Sequence, residues 1–301
     1  MTWNVDPVLF ELGPLEIRWY GLFFAFGLLL TVNRVHKSFR DRKLPEEQAA
    51  TLSLLLPLGM IIGAHLIHLI FYEPESFWRN PRRIIEIGYG LASHGGGLGV
   101  AVALWLYVRA KKGSFLRYLD AVMIGAVWLF PWVRIGNFFN SEIVGRATDL
   151  PWAVVFARRG EDFARHPVQL YEALAGFALI GVAEWMDRQR GRWPRGVLFS
   201  VLLGLYFTYR FLLEYTKEYQ VLAPGFPLTM GQLLSLPPLL LAAGFVWARR
   251  NAPREAELSA GDGHASPEDD GSAGGGQGSA AVAPASTRSS TVRKPRRRKK
   301  R

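Results

Sequence analysis

The 301-residue chain contains no cysteine. That absence excludes a disulfide framework, a thiolate zinc site, an iron–sulfur cluster and a thiol nucleophile supplied by the protein itself. Any sulfur chemistry must use a partner's sulfur. Acidic residues are also few, 25 against 36 basic ones, for a formal net charge of +11. The excess does not gather in one nucleic-acid-binding block: residues 251–301 hold 10 Lys and Arg and 6 Asp and Glu, which leaves +7 on the first 250. No aromatic residue follows Trp247, and 261–290 is mostly Gly, Ala, Ser, Pro and acid. With so little to bury, 251–301 is expected to be a disordered tail. Its basic end, 293–301, reads as a solvated, topology-fixing cluster; anionic membrane lipid is a partner it suits, and no nucleic acid is expected.

Apolar residues are abundant: 50% of the chain is AVILMFWYC, with 19 Phe, 10 Trp and 10 Tyr. They gather in seven runs, approximately 19–35, 49–72, 91–108, 118–139, 168–186, 196–215 and 228–248. Each has about the length that crosses a bilayer. Hydrocarbon offers the backbone no hydrogen-bond partner, so runs without strand alternation should be helices. The sequence predicts an all-α integral membrane protein, with a seven-helix transmembrane catalytic domain over 1–250. Asp6, Glu11 and Glu16 stand where a cleavable signal peptide would be basic, so the first run is expected to be a retained span.

Basic residues set the orientation. Arg34, Lys37, Arg40, Arg42 and Lys43 follow the first run, Arg109, Lys111, Lys112 and Arg117 the third, and Arg188, Arg190, Arg192 and Arg195 the fifth. All three connections lie on one side, which the positive-inside rule makes cytoplasmic. The N-terminus is then outside, the C-terminus cytoplasmic, and 140–165 an outward-facing connection.

Polar groups inside such runs are costly, so they mark function. The fourth run ends in a dense polar series, with Arg134, Asn137 and Ser141 at helical spacing on one face. In the sixth run Tyr206, Arg210 and Glu214 follow at four-residue steps; the plain alternative is a self-neutralising Arg210–Glu214 pair. Two intramembrane guanidiniums suit a phosphate, because the planar fork binds its oxygens in pairs and stays charged. His94 opens the glycine run Gly95-Gly96-Gly97. Such glycines usually pack helices closely, whereas a histidine beside glycines that clear space for a ligand is a candidate general base. His166, Gln169 and Glu172 enter the fifth run as supporting groups, and Tyr20, in an aromatic belt with Trp19, has a hydroxyl within reach of a lipid headgroup. Pro237-Pro238 predicts a local break in the seventh run. His65 and His68 share a face without a carboxylate partner, so no metal site is expected.

The series Arg134-Ile135-Gly136-Asn137-Phe138-Phe139-Asn140-Ser141-Glu142-Ile143-Val144-Gly145 resembles the signature of the bacterial phosphatidylglycerol:prolipoprotein diacylglyceryl transferases. Trp19-Tyr20-Gly21, His94-Gly95-Gly96, Arg165-His166-Pro167 with Gln169, Tyr171 and Glu172, Tyr206 with Arg210 and Glu214, and Met230-Gly231-Gln232 are similar to the family's other landmarks, in the same order. Val133 replaces the signature's leading glycine, and Gly63-Ala64-His65-Leu66-Ile67-His68 lacks the family's second-helix arginine and tyrosine. The resemblance implies a multi-pass enzyme of the bacterial cytoplasmic (inner) membrane. It would move the diacylglyceryl group of phosphatidylglycerol to the lipobox cysteine of a prolipoprotein signal peptide and release glycerol phosphate, without a cofactor. It implies catalytic roles for His94, Arg134 and Arg210, substrate-binding roles for Tyr20, Asn137, Glu142, Gly145, Tyr206 and Glu214, and support from Asn140, His166, Gln169 and Glu172. A transporter would instead need a continuous polar route, and an inactive paralogue would bind lipid or lipoprotein without transfer.

Overall fold

Helix forms along each of the seven apolar runs in the computed structural model, which describes residues 1–71, 73–85, 92–218 and 227–261. The compact unit is Met1–Asp262; the basic cluster 293–301 lies outside the described residues. Three short strands come first: β1 (Thr2–Trp3), β2 (Val8–Leu12) and β3 (Leu15–Arg18). The helices are α1 (Trp19–Asp41), α2 (Glu46–Phe71), α3 (Pro74–Arg79), α4 (Ser93–Ala110), α5 (Phe115–Ala126), α6 (Phe130–Phe139), α7 (Val168–Arg188), α8 (Val197–Leu213), α9 (Met230–Arg249) and α10 (Glu255–Gly261), with β4 (Val155–Phe156) before α7. The protein is therefore mostly helical but not all-α. The β2–β3 hairpin turns through Gly13 at φ 62°, and β1 pairs in parallel with β4. Among the described residues, four stretches can cross a membrane by length and composition: Glu46–Phe71, Phe115–Phe139, Val197–Thr216 and Met230–Arg249, with Gly95–Ala110 a shorter apolar helix.

Four sequence expectations change. The fourth run is two helices rather than one, because Pro131 has no N–H and its ring crowds the carbonyl of Val127; the chain tightens there, Trp128 and Leu129 donating to the carbonyls three residues back, Gly125 and Ala126. α1 and α7 continue past their apolar runs, so Arg34, Lys37 and Arg40 lie inside α1 and not in the connection after it. α9 runs through Pro237 and Pro238 without ending; helices in bilayers tolerate proline where neighbours satisfy the freed groups. α10 forms beyond Arg250, its Glu255 reaching Arg117 and Arg195 at 3.2 and 2.5 Å.

The glycines after His94 serve packing. A Cβ on Gly95 would stand 2.3 Å from the Gly63 carbonyl oxygen, and one on Gly99 2.0 Å from that of Gly59. Pairs spaced by four thus bring the α2 and α4 backbones into contact, as small residues do in membranes. Gly95 and Gly99 thus clear room for a helix.

At the ends of α1 and α7, Arg34 binds Glu184 at 2.5 Å and Asp187 at 2.6 Å, and Arg42 binds Asp187 at 2.7 Å. Neighbouring helices follow α2–α4, α1–α5, α1–α6, α6–α7, α7–α8 and α8–α9, which leaves α6, α7 and α8 to frame the polar groups.

Candidate active site

The signature segment is shaped by how α6 stops. Ser141 donates its N–H to the Phe138 carbonyl and Glu142 to that of Asn137, each at 3.0 Å. This pair of bonds is a Schellman closure, which needs a left-handed residue after the cap; Ser141 takes it at φ 54°. Ser141 therefore leaves the helical face it was expected to share with Arg134 and Asn137. The same turn sends Glu142 back over the helix end, where Asn137 Nδ2 donates to it at 3.3 Å and Asn140 Nδ2 at 3.1 Å. Gln169, fully buried in the first turn of α7, donates to the Glu142 carbonyl.

Arg134 stays on the α6 face. Its Nη1 donates to Asn137 Oδ1 at 3.5 Å, and its Nε lies 3.0 Å from Oε2 of Glu172, a carboxylate on α7 that is only 2% exposed. The other Glu172 oxygen is 2.8 Å from Lys217 Nζ. Tyr20 lies against α6 one residue from Asn137: a Cβ on Gly136 would stand 2.9 Å from the Tyr20 ring.

α8 supplies the facing side. Tyr206 stacks on Phe130 at 4.9 Å and meets Tyr209 edge-on at 5.1 Å. Tyr209 precedes Arg210 on α8, which packs against α7, the helix that carries Glu172, the partner of Arg134. Among the described residues Arg210 has no carboxylate partner of its own: Glu214 pairs with Lys217 instead. α8 ends at Leu213 and Glu214 opens a 3-10 turn, Glu214–Thr216, whose tighter winding breaks the four-residue alignment. Glu214 instead lies 3.8 Å from Lys217 and packs against Gly231 at the start of α9, where the helix dipole favours an anion. Gly231, like its neighbour Gln232, was read as a landmark; the contact gives its lack of a side chain a reason.

The connection before α7 closes the site from one end. Gly145 pairs with Lys217 as an isolated antiparallel bridge and donates its N–H to the His166 carbonyl at 3.0 Å. A Cβ there would meet the Thr216 carbonyl oxygen at 2.5 Å and His166 Cβ at 2.6 Å. Trp152 donates to the Tyr171 hydroxyl at 2.7 Å, and that hydroxyl is 3.2 Å from His166 Nδ1. Burial, then the nearby Arg146, hold the His166 pKa below its ordinary value. Arg165 binds Glu161 at 2.5 Å and Glu218 at 2.6 Å and donates to the Gly145 carbonyl at 3.0 Å. His94 has its backbone in the first turn of α4; its side chain lies outside the described residues. His65 binds the Arg83 carbonyl at 2.9 Å and His68 lies 3.2 Å from Glu73. These histidines tie down the segment after α2.

Structure thus brings together Tyr20, Arg134, Asn137, Asn140, Glu142, Gln169 and Glu172 around α6, and Tyr206 with Arg210 on α8. Sequence reading missed Tyr209 and Lys217. Tyr209 is three residues from Tyr206, a helical spacing that could have exposed it; Lys217 looked like an ordinary loop charge.

A family model described as prolipoprotein diacylglyceryl transferase matches residues 7–248. A phosphatidylglycerol–prolipoprotein diacylglyceryl transferase from Tolumonas auensis is 40% identical over 259 residues, covering 85% of this chain and 99% of that protein. Proteins of the same description from Chloroherpeton thalassium and Bacteroides fragilis are 39% and 37% identical, over 79% and 82% of this chain and 90% and 94% of their own lengths.

Proposed function

The chain belongs to the prolipoprotein diacylglyceryl transferase family, and from that premise we propose how its residues carry out the reaction. It is a multi-pass membrane transferase that moves the diacylglyceryl group of phosphatidylglycerol to bacterial prolipoproteins, the first step of lipoprotein maturation. The acceptor is the lipobox cysteine thiol of the signal peptide, and glycerol phosphate leaves. The sulfur comes from the substrate, in keeping with a chain that has none of its own to offer as thiol.

Breaking the glycerol carbon–oxygen bond leaves negative charge on phosphate, and fixed cations in a water-poor site stabilise that growth of charge strongly. Arg134 and Arg210 are those cations. The observation that carries this reading is the buried Glu172, which lies 3.0 Å from Arg134 Nε and sits on α7, the helix packed against both α6 and the α8 that bears Arg210. Asn137 and Glu172 orient Arg134, Glu142 holds Asn137, and Tyr20 and Tyr206 wall the donor. A thiol with an ordinary pKa near 8.5 needs its proton removed, which is the role of His94.

Purified protein incubated with phosphatidylglycerol and a lipobox peptide should add one diacylglyceryl group to the peptide by mass. Arg134→Ala and Arg210→Ala should each lower transfer at least about 100-fold, as lost transition-state donors do, while still inserting. Unchanged transfer in either variant removes the phosphate clamp.

We propose that the domain 1–250 crosses the inner membrane seven times, with the N-terminus outside, 140–165 facing out and the tail 251–301 in the cytoplasm. Helix along all seven runs and the basic connections support this reading. Since no native thiol interferes, Asp149→Cys and Lys112→Cys in intact cells test it: an impermeant maleimide should label the first and spare the second. The reverse pattern would invert the topology.

A further inference from the structure

We infer that Lys217 is a positioning residue for diacylglyceryl transfer, acting on Arg134 through Glu172; the inference rests on the function just proposed. Glu172 is 2% exposed and divides its two oxygens between two cations, Oε2 at 3.0 Å from Arg134 Nε and Oε1 at 2.8 Å from Lys217 Nζ. One negative charge is thereby shared by two positive ones. A buried carboxylate that faced Arg134 alone would cancel its charge and draw the guanidinium inward, away from the phosphate. With Lys217 in place, Arg134 keeps the geometry that Glu172 imposes and retains net positive charge for the donor.

The backbone fixes Lys217 for this task. It bridges to Gly145, its N–H donates to the Glu214 carbonyl at 3.1 Å, and Arg146 donates to the Thr216 carbonyl at 3.0 Å. Its side chain is 14% exposed, with Glu214 a weaker second anion at 3.8 Å. The residue thus joins three parts of the site that are far apart in sequence: the end of the signature, the start of α7 and the end of α8. Lysine suits the position because its ammonium is a compact point charge on a flexible stem, able to face two carboxylates at once.

The test compares wild type, K217M, K217R, E172Q and the double variant E172Q/K217M in the phosphatidylglycerol and lipobox-peptide assay, per mole of purified protein. K217M should lower transfer at least about tenfold, within the range of coupled neighbours, and K217R should stay near wild type. E172Q alone should be mildly impaired. The double variant should be severalfold more active than K217M, because removing the carboxylate's charge removes the need to share it. A merely structural lysine would give no such suppression. Should K217M not purify, K217Q serves the same comparison. Wild-type activity in K217M, no suppression in the double variant, or an inactive E172Q overturns the inference. No transfer by wild type would instead overturn the proposed function, so the two failures are distinct.

Discussion

A methyl group on Gly63 would stand 2.4 Å from the carbonyl oxygen of Gly95. Backbone cannot yield that much without moving a helix, so α2 and α4 have no room for side chains at this crossing. Gly63→Ala and Gly99→Ala should each destabilise the protein by about 1–3 kcal/mol, the usual cost of overpacking. Gly97 is the control, since a Cβ there meets nothing within 4 Å. Thermal unfolding in detergent should show a lower midpoint for the first two variants and none for Gly97→Ala; equal midpoints would mean that the helices part easily.

Asp187 carries the charge balance at the other end of the bundle. It is 3% exposed, and its two oxygens serve Arg34 at 2.6 Å and Arg42 at 2.7 Å. Asp187→Asn takes the carboxylate from the buried Arg42, while Arg34 keeps Glu184 at 2.5 Å, and breaking that buried pair should cost about 3–5 kcal/mol. Folded yield and unfolding midpoint should fall together. Replacing the exposed Asp6, whose partner Arg158 is at the surface, should leave both nearly unchanged, as exposed ion pairs contribute little.

These two contacts show what the sequence made legible. Helix along the seven apolar runs could be read because hydropathy and length are local properties, and the Arg134–Gly145 series because its polar residues are close together. Gly63 against Gly95 could be suspected from spacing, but only packing shows that the glycines face backbone. Arg34 and Asp187 lie 153 residues apart, and no local pattern links them, so Arg34 looked like a loop charge. Lys217 escaped for the same reason: its partner Glu172 lies on another helix. Ser141 and Glu214 misled in another way. Helical spacing was extended past the points where the Schellman closure and a 3-10 turn end the α-helices.

His166 should make stability depend on pH. Burial and Arg146 lower its folded pKa below the ordinary 6.5, so the unfolded chain binds the proton more readily. Its contribution is complete above about pH 6.5 and is lost as pH falls through the lower folded value. Glu161 acts in the same direction further down. Its hydrogen bond to Arg165 holds its pKa below the ordinary 4.5, so its contribution disappears only in stronger acid. The unfolding midpoint should drop between pH 7.5 and 5.5 in wild type and drop less in His166→Gln. An identical drop in both would remove His166 from the account.

Gly145 joins packing to chemistry. It has no side chain to touch a substrate, yet its Cα is enclosed: a Cβ would press on the Thr216 carbonyl oxygen at 2.5 Å and on His166 Cβ and Val168 Cγ2, each at 2.6 Å. The cheapest relief is for the 3-10 turn carrying Thr216, and Lys217 after it, to move outward, since His166 and Val168 are fixed at the entry to α7. That shift would carry Lys217 away from Glu172. A displacement near 1 Å in a reactive site costs on the order of 100-fold, so Gly145→Ala should lose most transfer activity. If the loss runs through Lys217, then Glu172→Gln should blunt it in Gly145→Ala as it does in Lys217→Met. A loss in Gly145→Ala that Glu172→Gln leaves unchanged would show that this glycine admits the substrate directly.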